Sequence, residues 1–571
     1  MKSALKYLKP YGGSAIWGML FKFAETVLEL FLPLTMAYMV ESASKGAEFS
    51  QVLRLSGVML VIIALCIVLS VSGQFFAAKA STFFGRDLRT ALFSKINSLS
   101  FKETDSFGTP SLVNRLTNDT SQIQSAVFMV IRIGLRAPFV AIGALVMAFA
   151  LDSFVALVFL AVIPFVAIAI TIILKRTVPI YGSVQKKLDD ITAVTRENVS
   201  GARVIRAYSR QEHENVRTAV AAESYKKESL RVNRIAALLN PISSLIIQLG
   251  IVGILIVGGY RAQADMLEPA ILTAFITYIL QILLAVNMVA TVIVILIRAV
   301  ASAKRIEEVL NAKGVASDGY AVTGGDGLDR SAPAAEFKDV YFGYSCANVL
   351  KDVSFAVNRG EKLGIIGGTG SGKTTLINLI PAFYGARSGE VRVFGRDVKD
   401  IDPRYLRSLV TAVSQKAVLI SGTVRENVAF GRQISDEEAT RALYAAQAEF
   451  VFESQEGLDK HIERDGSNIS GGQKQRISIA RALAGNPEIL ILDDSSSALD
   501  YATDAALYAA LRTEYPELTV ITVSQRVYAV RRADTILVMH NGKIEAAGAH
   551  SELYAASPLY EEICRSQGVD L

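Results

Sequence analysis

The chain has 571 residues, of which 51% are hydrophobic and 20% are charged, and its formal net charge is +5. This composition excludes an intrinsically disordered chain, and so small a net charge gives no support for nucleic acid as a partner. The three cysteines, Cys66, Cys346 and Cys564, are widely separated and odd in number. Neither a disulfide framework nor a zinc site is therefore expected.

Apolar residues are concentrated in roughly the first 300 positions. About 20 helical residues cross a hydrocarbon core about 30 Å thick. Buried helices of a large soluble protein are the alternative, but the run from Leu151 to Leu174 carries a single charge, Asp152, near one end, which favours membrane spans. The six predicted spans are Ala15 to Val40, Leu55 to Ala78, Val127 to Ala150, Phe154 to Leu174, Ala236 to Gly259, and Pro269 to Ile297.

Lysine and arginine lie mainly on one side of these spans. Lysines precede the first span, and basic, polar loops follow the second and fourth spans at about Lys79 to Gln124 and Lys175 to Arg234. The opposite connections offer far fewer basic residues, among them Lys45 and Arg261. Because positive residues resist translocation, both termini and the two long loops are predicted to be cytoplasmic. The helix-rich composition of the loops predicts that the spans continue as helices beyond the membrane.

Three charged residues interrupt the first span, namely Lys22, Glu25 and Glu29. An ionised group that faces lipid costs about 2.5 to 3.5 kcal/mol on insertion scales, so these side chains are expected to face the protein interior or water. Two interpretations stay open. One is a local Lys22–Glu25 ion pair at i,i+3 spacing, and the other is a polar lining of a translocation cavity.

The second half of the chain reads as a separate α/β domain with a phosphate loop. Residues 313–334 are rich in Gly, Asp, Ser and Ala and predict a linker between a membrane domain, 1–312, and this domain, 335–571. The strand-like Lys362 to Ile366 leads into a loop that fits G-x-x-x-x-G-K-[ST], followed by a helix. Backbone amides and the helix N-terminus can hold phosphates there, the lysine can reach the terminal phosphates, and the hydroxyl can ligate Mg²⁺. The predicted nucleotide-binding residues are Gly367, Gly368, Thr369, Gly370, Ser371, Gly372, Lys373, Thr374 and Thr375.

A second strand supplies the acids that a nucleotide site needs. Ile489 to Leu492 is continuously apolar and ends in Asp493 and Asp494. Asp493 is predicted to hold Mg²⁺ through water, and Asp494 to lie beside the attacking water. Further apolar strands and a hairpin turn are predicted at Val520 to Val523, Ile536 to Met539, and Asn541-Gly542. These elements predict an α/β fold with a parallel sheet core.

Four more segments resemble motifs of ABC transporter ATPases. Ile469 to Arg476 resembles the signature motif, with Ile at its first position, and Ser497 to Asp500 resembles the D-loop. Gln415 resembles the Q-loop glutamine, and Tyr344 resembles the aromatic residue that stacks on adenine. The resemblance implies ATP and Mg²⁺ as cofactors, Gln415 as a catalytic and metal-site residue, and further nucleotide contacts from Tyr344, Ser470, Gly471, Gly472, Gln473 and Asp500.

The order of the two domains resembles an ABC exporter half-transporter: six transmembrane helices with long cytoplasmic extensions, then an α/β P-loop ATPase domain. Gly108 to Gln124 and Glu197 to Glu212 resemble the segments around its two coupling helices. In this family two ATPase domains close head to tail, so each ATP lies between the phosphate loop of one chain and the signature motif of the other. The resemblance therefore implies a second half-transporter as partner, and it places both in membrane lipid.

Two positions depart from the family pattern. Asp494 stands where a glutamate is usual, and Gln525 stands where the switch histidine is usual. The stretch Glu463 to Gly466 also replaces Gly-Glu-Arg-Gly, which puts a cross-domain contact in doubt. The first two changes weaken hydrolysis, because the acid is shorter and an amide cannot become cationic or shuttle a proton. Lys373 and the other ATP-binding residues remain.

This combination resembles the degenerate-site subunit of heterodimeric ABC exporters. The sequence therefore predicts one subunit of an exporter in a prokaryotic cytoplasmic membrane, with slow hydrolysis at its own site, a partner that has a consensus ATP site, and amphipathic small molecules or drugs as substrates. Two alternatives stay open. One is an importer of a metal chelate with the exporter fold, and the other is a regulatory ATP-binding subunit with negligible hydrolysis.

Overall fold

The structure, a computed structural model, describes residues 2–312, 322–324 and 327–569. Part of the predicted linker, at 313–321 and 325–326, lies outside the described residues. The chain divides into two compact units, Met1–Asn97 with Thr109–Ala312, and Ser98–Gly108 with Lys313–Leu571. We call them the helical unit and the α/β unit.

Among its described residues, the helical unit contains six stretches that are long and apolar enough to cross a membrane. Each of them contains one of the six predicted spans, so the predicted number and position of the spans are confirmed. The six stretches are Ser3–Ser44, Phe49–Asn97, Thr109–Leu151, Ser153–Ser200, Gln211–Gln263 and Pro269–Leu310.

Several helices are much longer than a bilayer requires. The helices up to residue 310 are α1 (Lys2–Leu5), α2 (Gly12–Glu29), α3 (Phe31–Ser44), α4 (Phe49–Asn97), α5 (Phe101–Phe107), α6 (Thr109–Asn114), α7 (Thr120–Met129), α8 (Arg136–Leu151), α9 (Ser153–Ser200), α10 (Ala202–Ala207), α11 (Gln211–Ala237), α12 (Leu239–Gln263) and α13 (Leu272–Leu310). At 1.5 Å per residue, the 49 residues of α4 and the 48 residues of α9 each extend for about 70 Å. The prediction that the spans continue as helices beyond the hydrocarbon core is therefore confirmed.

Small residues let the helices of this unit approach closely. Ala144, Ala148 and Ala274 are fully buried in its main apolar cluster. Tyr278 is also fully buried, and its hydroxyl donates a hydrogen bond to the backbone oxygen of Leu30 at 2.7 Å. Such packing is expected for helices in lipid, because dispersion contacts and interhelical hydrogen bonds hold them together there.

The charged residues of the first span face the interior of the helical unit. Lys22 and Glu25 are 3% and 6% exposed, and Lys22 Nζ lies 2.6 Å from a Glu25 carboxylate oxygen. The local pair predicted at i,i+3 spacing is therefore present. Glu29 accepts a hydrogen bond at 2.7 Å from Arg136, the first residue of α8. This second pair joins two helices that are far apart in sequence and was not predicted.

The α/β unit is built on a parallel sheet. Its strands are β1 (Ala335–Phe342), β2 (Leu350–Val357), β3 (Lys362–Gly367), β4 (Ser388–Val393), β5 (Arg396–Asp397), β6 (Val410–Val413), β7 (Gly422–Thr423), β8 (His461–Ile462), β9 (Ile489–Asp493), β10 (Thr519–Ser524), β11 (Thr535–His540) and β12 (Lys543–Gly548). The six-stranded sheet has the order β12-β11-β3-β10-β9-β6, and all its pairs are parallel except β11 with β12. The predicted parallel core is confirmed. An antiparallel sheet of order β2-β1-β4-β5 accompanies it.

Every residue of the three central strands β3, β9 and β10 is buried, as expected for parallel strands covered on both faces. The strands are covered by short helices, and the predicted hairpin is present. Asn541 and Gly542 join β11 to β12 with φ values of 49° and 83°, which is the turn geometry that an Asn-Gly pair favours. The helices of this part of the chain are α14 (Lys373–Ile377), α15 (Pro403–Leu409), α16 (Val424–Ala429), α17 (Asp436–Ala445), α18 (Gly471–Leu483), α19 (Tyr501–Glu514), α20 (Val527–Val530), α21 (His550–Ala556) and α22 (Pro558–Ser566).

One short helix between the second and third spans, α5, belongs to the α/β unit. Ser100 and Glu103 form a capping box at its start, and Gly108, with φ 73°, ends it. The segment that the resemblance placed around the first coupling helix, Gly108 to Gln124, begins directly after α5 and contains α6, a π-helix and the first part of α7. The second short helix, α10, does lie within the predicted Glu197 to Glu212.

Candidate functional site

The phosphate loop joins β3 to α14, as its sequence predicts. Gly370 and Gly372 have φ values of 81° and 101°, a left-handed backbone that glycine adopts without a Cβ penalty. Lys373 is 8% exposed, and its Nζ donates hydrogen bonds at 2.8 Å to the backbone oxygens of Gly367 and Gly368. The loop therefore folds around a single buried ammonium group.

Electrostatics prepare this ammonium group for an anion. Burial lowers the pKa of Lys373, and the carboxylates of Asp494 and Asp493 oppose that shift. A buried cation gains most from a ligand that brings negative charge and hydrogen-bond acceptors with it. The loop amides and the N-terminus of α14 favour the same kind of ligand, so the geometry fits a polyphosphate.

Two oxygen donors lie together at the end of β9. The Thr374 hydroxyl donates a hydrogen bond to a carboxylate oxygen of Asp493 at 3.1 Å, and burial raises the pKa of Asp493. Within the described residues no group of three or more His, Cys, Asp or Glu side chains could hold a metal. A hydroxyl next to one carboxylate is nevertheless the donor set of Mg²⁺ sites that are completed by water and phosphate oxygens. These residues therefore fit Mg²⁺.

The two positions that depart from the family pattern lie at the same cleft. Asp494 has a left-handed φ of 46°, and its carboxylate accepts a hydrogen bond from Gln415 Nε2 at 3.0 Å. The Thr369 hydroxyl donates to the side-chain oxygen of Gln525 at 3.5 Å, which is at the limit for such a bond. The backbone oxygen of Gln525 accepts a hydrogen bond from Gln567 Nε2 at 2.8 Å. Gln415 thus orients the Asp494 side chain, and Gln567 holds the backbone at Gln525.

Most of the predicted site residues line one cleft of about 330 Å³ in the α/β unit. Sequence reasoning missed Val349, Val523 and Ser524, because a neighbour of a motif carries no chemical signal of its own. The predicted residues that line the cleft are Thr369, Gly370, Gly372, Lys373, Thr374, Thr375, Gln415, Asp493, Asp494 and Gln525. Gly367, Gly368 and Ser371 belong to the phosphate loop but are not part of the cleft lining.

Tyr344 lies beside the cleft with half of its surface exposed. Its hydroxyl contacts Thr375 Oγ1 at 3.4 Å, which places the ring next to the residue that follows the phosphate-loop threonine. The rings of Phe342 and Tyr384 pack edge-on to it, each with centroids 5.1 Å away. An aromatic ring supported at its edges and open at its surface is suited to stack on a nucleobase.

The signature residues lie outside this cleft. Ser470 caps α18, where it and Gln473 form a capping box with bonds of 3.3 and 3.0 Å. A Cβ at Gly472 would lie 2.9 Å from the backbone oxygen of Ala498, so glycine allows α18 to approach the D-loop. Asp500 occupies the position before α19. The cleft lining includes none of Ser470, Gly471, Gly472, Gln473 and Asp500.

In the α/β unit, a strand, a glycine loop and a helix enclose a buried lysine at a parallel sheet. The same chain carries six membrane-length helices among its described residues. Together these features define a membrane-embedded P-loop ATPase. The family described as "ABC transporter transmembrane region" matches residues 15–286, and the family described as "ABC transporter" matches residues 350–497. The chain belongs to the ABC transporter family.

Relatives match over most of the chain or nearly all of it. An uncharacterized ABC transporter ATP-binding protein of Mycobacterium tuberculosis is 33% identical over 99% of this chain and 97% of its own length. The ATP-dependent lipid A-core flippase of Syntrophus aciditrophicus is 30% identical over 86% of this chain and 83% of its own length. Among solved structures, a bacterial Atm1-family ABC exporter with ATP bound is 22% identical, covers 99% of both chains and has a TM-score of 0.82. That structure is similar in fold, which confirms the predicted fold class.

Proposed function

We propose that this chain is one half of a heterodimeric ABC exporter in a prokaryotic cytoplasmic membrane, with both termini cytoplasmic. It binds Mg-ATP at its own cleft and hydrolyses it slowly, while its signature motif completes an efficient site on the partner chain. ATP binding and hydrolysis then switch the paired spans between inward and outward access. The exported substrates are amphipathic small molecules or drugs, and the lipid A-core flippases among the relatives support an amphipathic class.

The observation that carries this proposal is the contrast within one cleft. Lys373 is enclosed by the phosphate loop, and Thr374 is hydrogen-bonded to Asp493, which supports the binding of ATP and Mg²⁺. Asp494, by contrast, is a short side chain whose carboxylate is hydrogen-bonded to Gln415, and Gln525 presents an amide. Binding groups are therefore kept at a site where the hydrolytic groups are weak.

In the proposed mechanism, the loop amides and Lys373 hold the β- and γ-phosphates. Thr374, Asp493 and Gln415 would hold Mg²⁺, which when bound would supply positive charge against the negative charge of these phosphates. Asp494 would orient the attacking water from a carboxylate that lies about 1 Å short of a glutamate's reach, and a displacement of about 1 Å can reduce a rate by about 10²-fold. Gln525 can donate a hydrogen bond to the γ-phosphate but cannot transfer a proton.

The proposed site of the partner uses residues of this α/β unit that lie outside its own cleft. Ser470, the amides of Gly471 and Gly472 and the N-terminus of α18 form a second anion-binding surface, in which Gln473 fixes the cap. These residues lie outside the chain's own cleft, which supports a site shared between two chains. Asp500 stands next to this surface at the start of α19. The proposed partner therefore supplies a phosphate loop and a consensus glutamate and histidine.

The test compares this chain alone with the same chain purified together with a second half-transporter that carries the consensus glutamate and the switch histidine. We expect ATP binding by the chain alone, little ATPase activity, and restored turnover and outward transport in the pair, measured in inside-out vesicles. Robust turnover by a homodimer of this chain would overturn the heterodimer. Inward transport would favour the importer alternative, and turnover of the pair that does not depend on Ser470 would favour a purely regulatory subunit.

A further inference from the structure

The ring of Tyr384 lies directly against the nucleobase side of the site. Its centroid is 5.1 Å from that of Tyr344, with ring planes 89° apart, and 5.8 Å from that of Phe342. Edge-to-face pairs of this kind are favourable and fix the orientation of both rings. A change in the position of Tyr344 therefore acts directly on Tyr384.

The other end of Tyr384 contacts α5. Its hydroxyl donates a hydrogen bond to the carboxylate of Asp105. Burial, and then the hydrogen bond to Asp105, raise the pKa of Tyr384, so the hydroxyl keeps its proton and remains a donor at neutral pH. Next to this bond, the ring of Phe101 packs on Phe383 with centroids 4.4 Å apart. The guanidinium of Arg407 lies over both of these rings, at 5.9 and 5.3 Å.

Both partners of this contact are held by local geometry. The capping box of Ser100 and Glu103 fixes the start of α5, and Gly108 fixes its end. On the other side, Ala382 has a left-handed φ of 51°, which turns the chain after α14 and presents Tyr384. Arg407 donates hydrogen bonds to the backbone oxygens of Pro381 and Ala382 at 3.3 and 3.4 Å. The segment that begins at the phosphate loop thus leads directly to the aromatic contact with α5.

We propose that Tyr384 is a positioning residue that links the base-stacking ring of Tyr344 to α5, so that α5 responds to the nucleobase and not only to the phosphates. This inference rests on the proposed function, in which Tyr344 stacks on adenine. A base stacked on Tyr344 limits the motion of that ring. The ring in turn limits the motion of Tyr384, whose hydroxyl is hydrogen-bonded to Asp105 and so limits the motion of α5. In sequence, α5 connects the second and third membrane-length helices. The mobility of this connection therefore depends on whether the bound nucleotide carries a base.

The experiment measures hydrogen exchange of the α5 amides, Phe101–Phe107, in the full-length chain in lipid nanodiscs. Two ligands are compared at saturation, Mg-ATP and Mg-tripolyphosphate, which lacks a base. We expect ATP to slow exchange in α5 about tenfold more than tripolyphosphate does, which is the size that a hydrogen bond to a charged group can support. Tyr384→Phe should reduce this base-dependent difference to less than about threefold while ATP affinity changes by less than about threefold.

Matched variants separate this link from simple packing. Asp105→Asn keeps a side-chain oxygen that can accept the hydrogen bond, so it should retain most of the base-dependent difference, whereas Asp105→Ala should lose it. Combining Tyr384→Phe with Asp105→Ala should have no more effect than either change alone. The control is Tyr444→Phe. Tyr444 is an exposed tyrosine that stacks on Phe452, and this variant should behave like the unmodified chain.

The outcomes distinguish the inference from the proposed function. Tyr344→Ala should weaken ATP binding about tenfold and leave tripolyphosphate binding unchanged, since base stacking is worth about 1 to 3 kcal/mol. If the chain bound no ATP, the proposed function would fail. If ATP bound with the expected dependence on Tyr344 but Tyr384→Phe left the base-dependent protection of α5 intact, only the inference would be overturned. Equal loss of protection with both ligands would also overturn it, because that result indicates a structural role.

Discussion

Substitutions at position 494 test which of the two chains in the complex carries ATP hydrolysis. In the cleft, the Asp494 carboxylate is hydrogen-bonded to Gln415 at 3.0 Å, and the backbone N–H of Asp494 donates to the Val523 oxygen at 2.8 Å. Asp494→Asn keeps an oxygen that can accept from Gln415 and removes the negative charge. The substitution therefore changes the charge and the basicity at this position without a change in side-chain size.

The expected magnitude follows from where turnover takes place. If the partner's acid carries most turnover, Asp494→Asn should change the ATPase rate of the complex by less than about twofold. Neutralising the partner's acid should instead lower this rate by about 10² to 10⁴-fold, which is the rate enhancement that general-base catalysis contributes. The reverse change, Asp494→Glu combined with Gln525→His, should raise hydrolysis at this cleft. The gain is limited to about 10²-fold, since one methylene moves the carboxylate by about 1 Å.

The assay is steady-state ATPase activity and vesicle transport for the unmodified complex and three variants, prepared and measured side by side. Photolabelling with azido-ATP identifies which chain holds nucleotide, so loss of binding is not mistaken for loss of catalysis. Glu545→Gln, an exposed carboxylate on β12, is the control for charge removal. A collapse of turnover with Asp494→Asn that matches the partner-acid variant would show that Asp494 is the working base and that the cleft is not degenerate.

Three further substitutions probe the rest of the molecule. Lys373→Ala should release ATP from this chain's cleft, seen as lost photolabelling of this chain, because the buried cation that the loop encloses is removed. Ser470→Ala should lower hydrolysis of the complex while this chain keeps its nucleotide, and unchanged turnover would contradict the shared site. Lys22→Met should lower the thermal unfolding temperature of the detergent-solubilised chain, because removing one partner of a buried ion pair costs about 3 to 5 kcal/mol, while Lys45→Met at an exposed pair should have little effect.

Local sequence patterns predicted the elements that carry the nucleotide chemistry. A run such as Ile489 to Leu492, apolar at every position and followed by two acids, has few structural options other than a buried strand with acids at its end, and β9 confirms it. The phosphate loop and the Asn541-Gly542 turn are similarly specified by residues next to each other in the chain. The extension of α4 and α9 beyond their spans follows from the helix-rich composition of the loop after each span.

Contacts between distant segments could not be predicted in this way. The Arg136–Glu29 pair joins residues 107 positions apart, and the hydrogen bond of Gln415 to Asp494 joins residues 79 positions apart. Neither partner has a neighbour in sequence that indicates the other. The location of α5 was missed for a different reason: the Ser100–Glu103 capping box was present in the sequence, and it marks the start of a helix several residues before the segment that resemblance had selected.

A buried carboxylate outside the nucleotide cleft gives the α/β unit a pH-dependent stability. Asp504 on α19 is 5% exposed, and among the described residues its Oδ1 has no hydrogen-bond partner. Burial raises the pKa of Asp504 from 3.8 to about 6, although the positive charges of Arg532 and Arg526 lower it in part. Because the folded chain binds this proton more tightly than the unfolded chain, the free energy of unfolding falls as pH rises from about 4 to about 6.

Above about pH 6 the carboxylate is ionised in both states, and its burial then costs about 3 kcal/mol relative to the protonated form. Asp504→Asn removes the charge and should raise the thermal unfolding temperature of the α/β unit at pH 7.5 but not at pH 4.5. Glu545→Gln should leave the difference in unfolding temperature between the two pH values unchanged. These unfolding temperatures are measured by calorimetry of the full-length chain at both pH values. An equal shift at both pH values would mean that the substitution acts through packing, because only a titrating Asp504 makes the stability gain depend on pH.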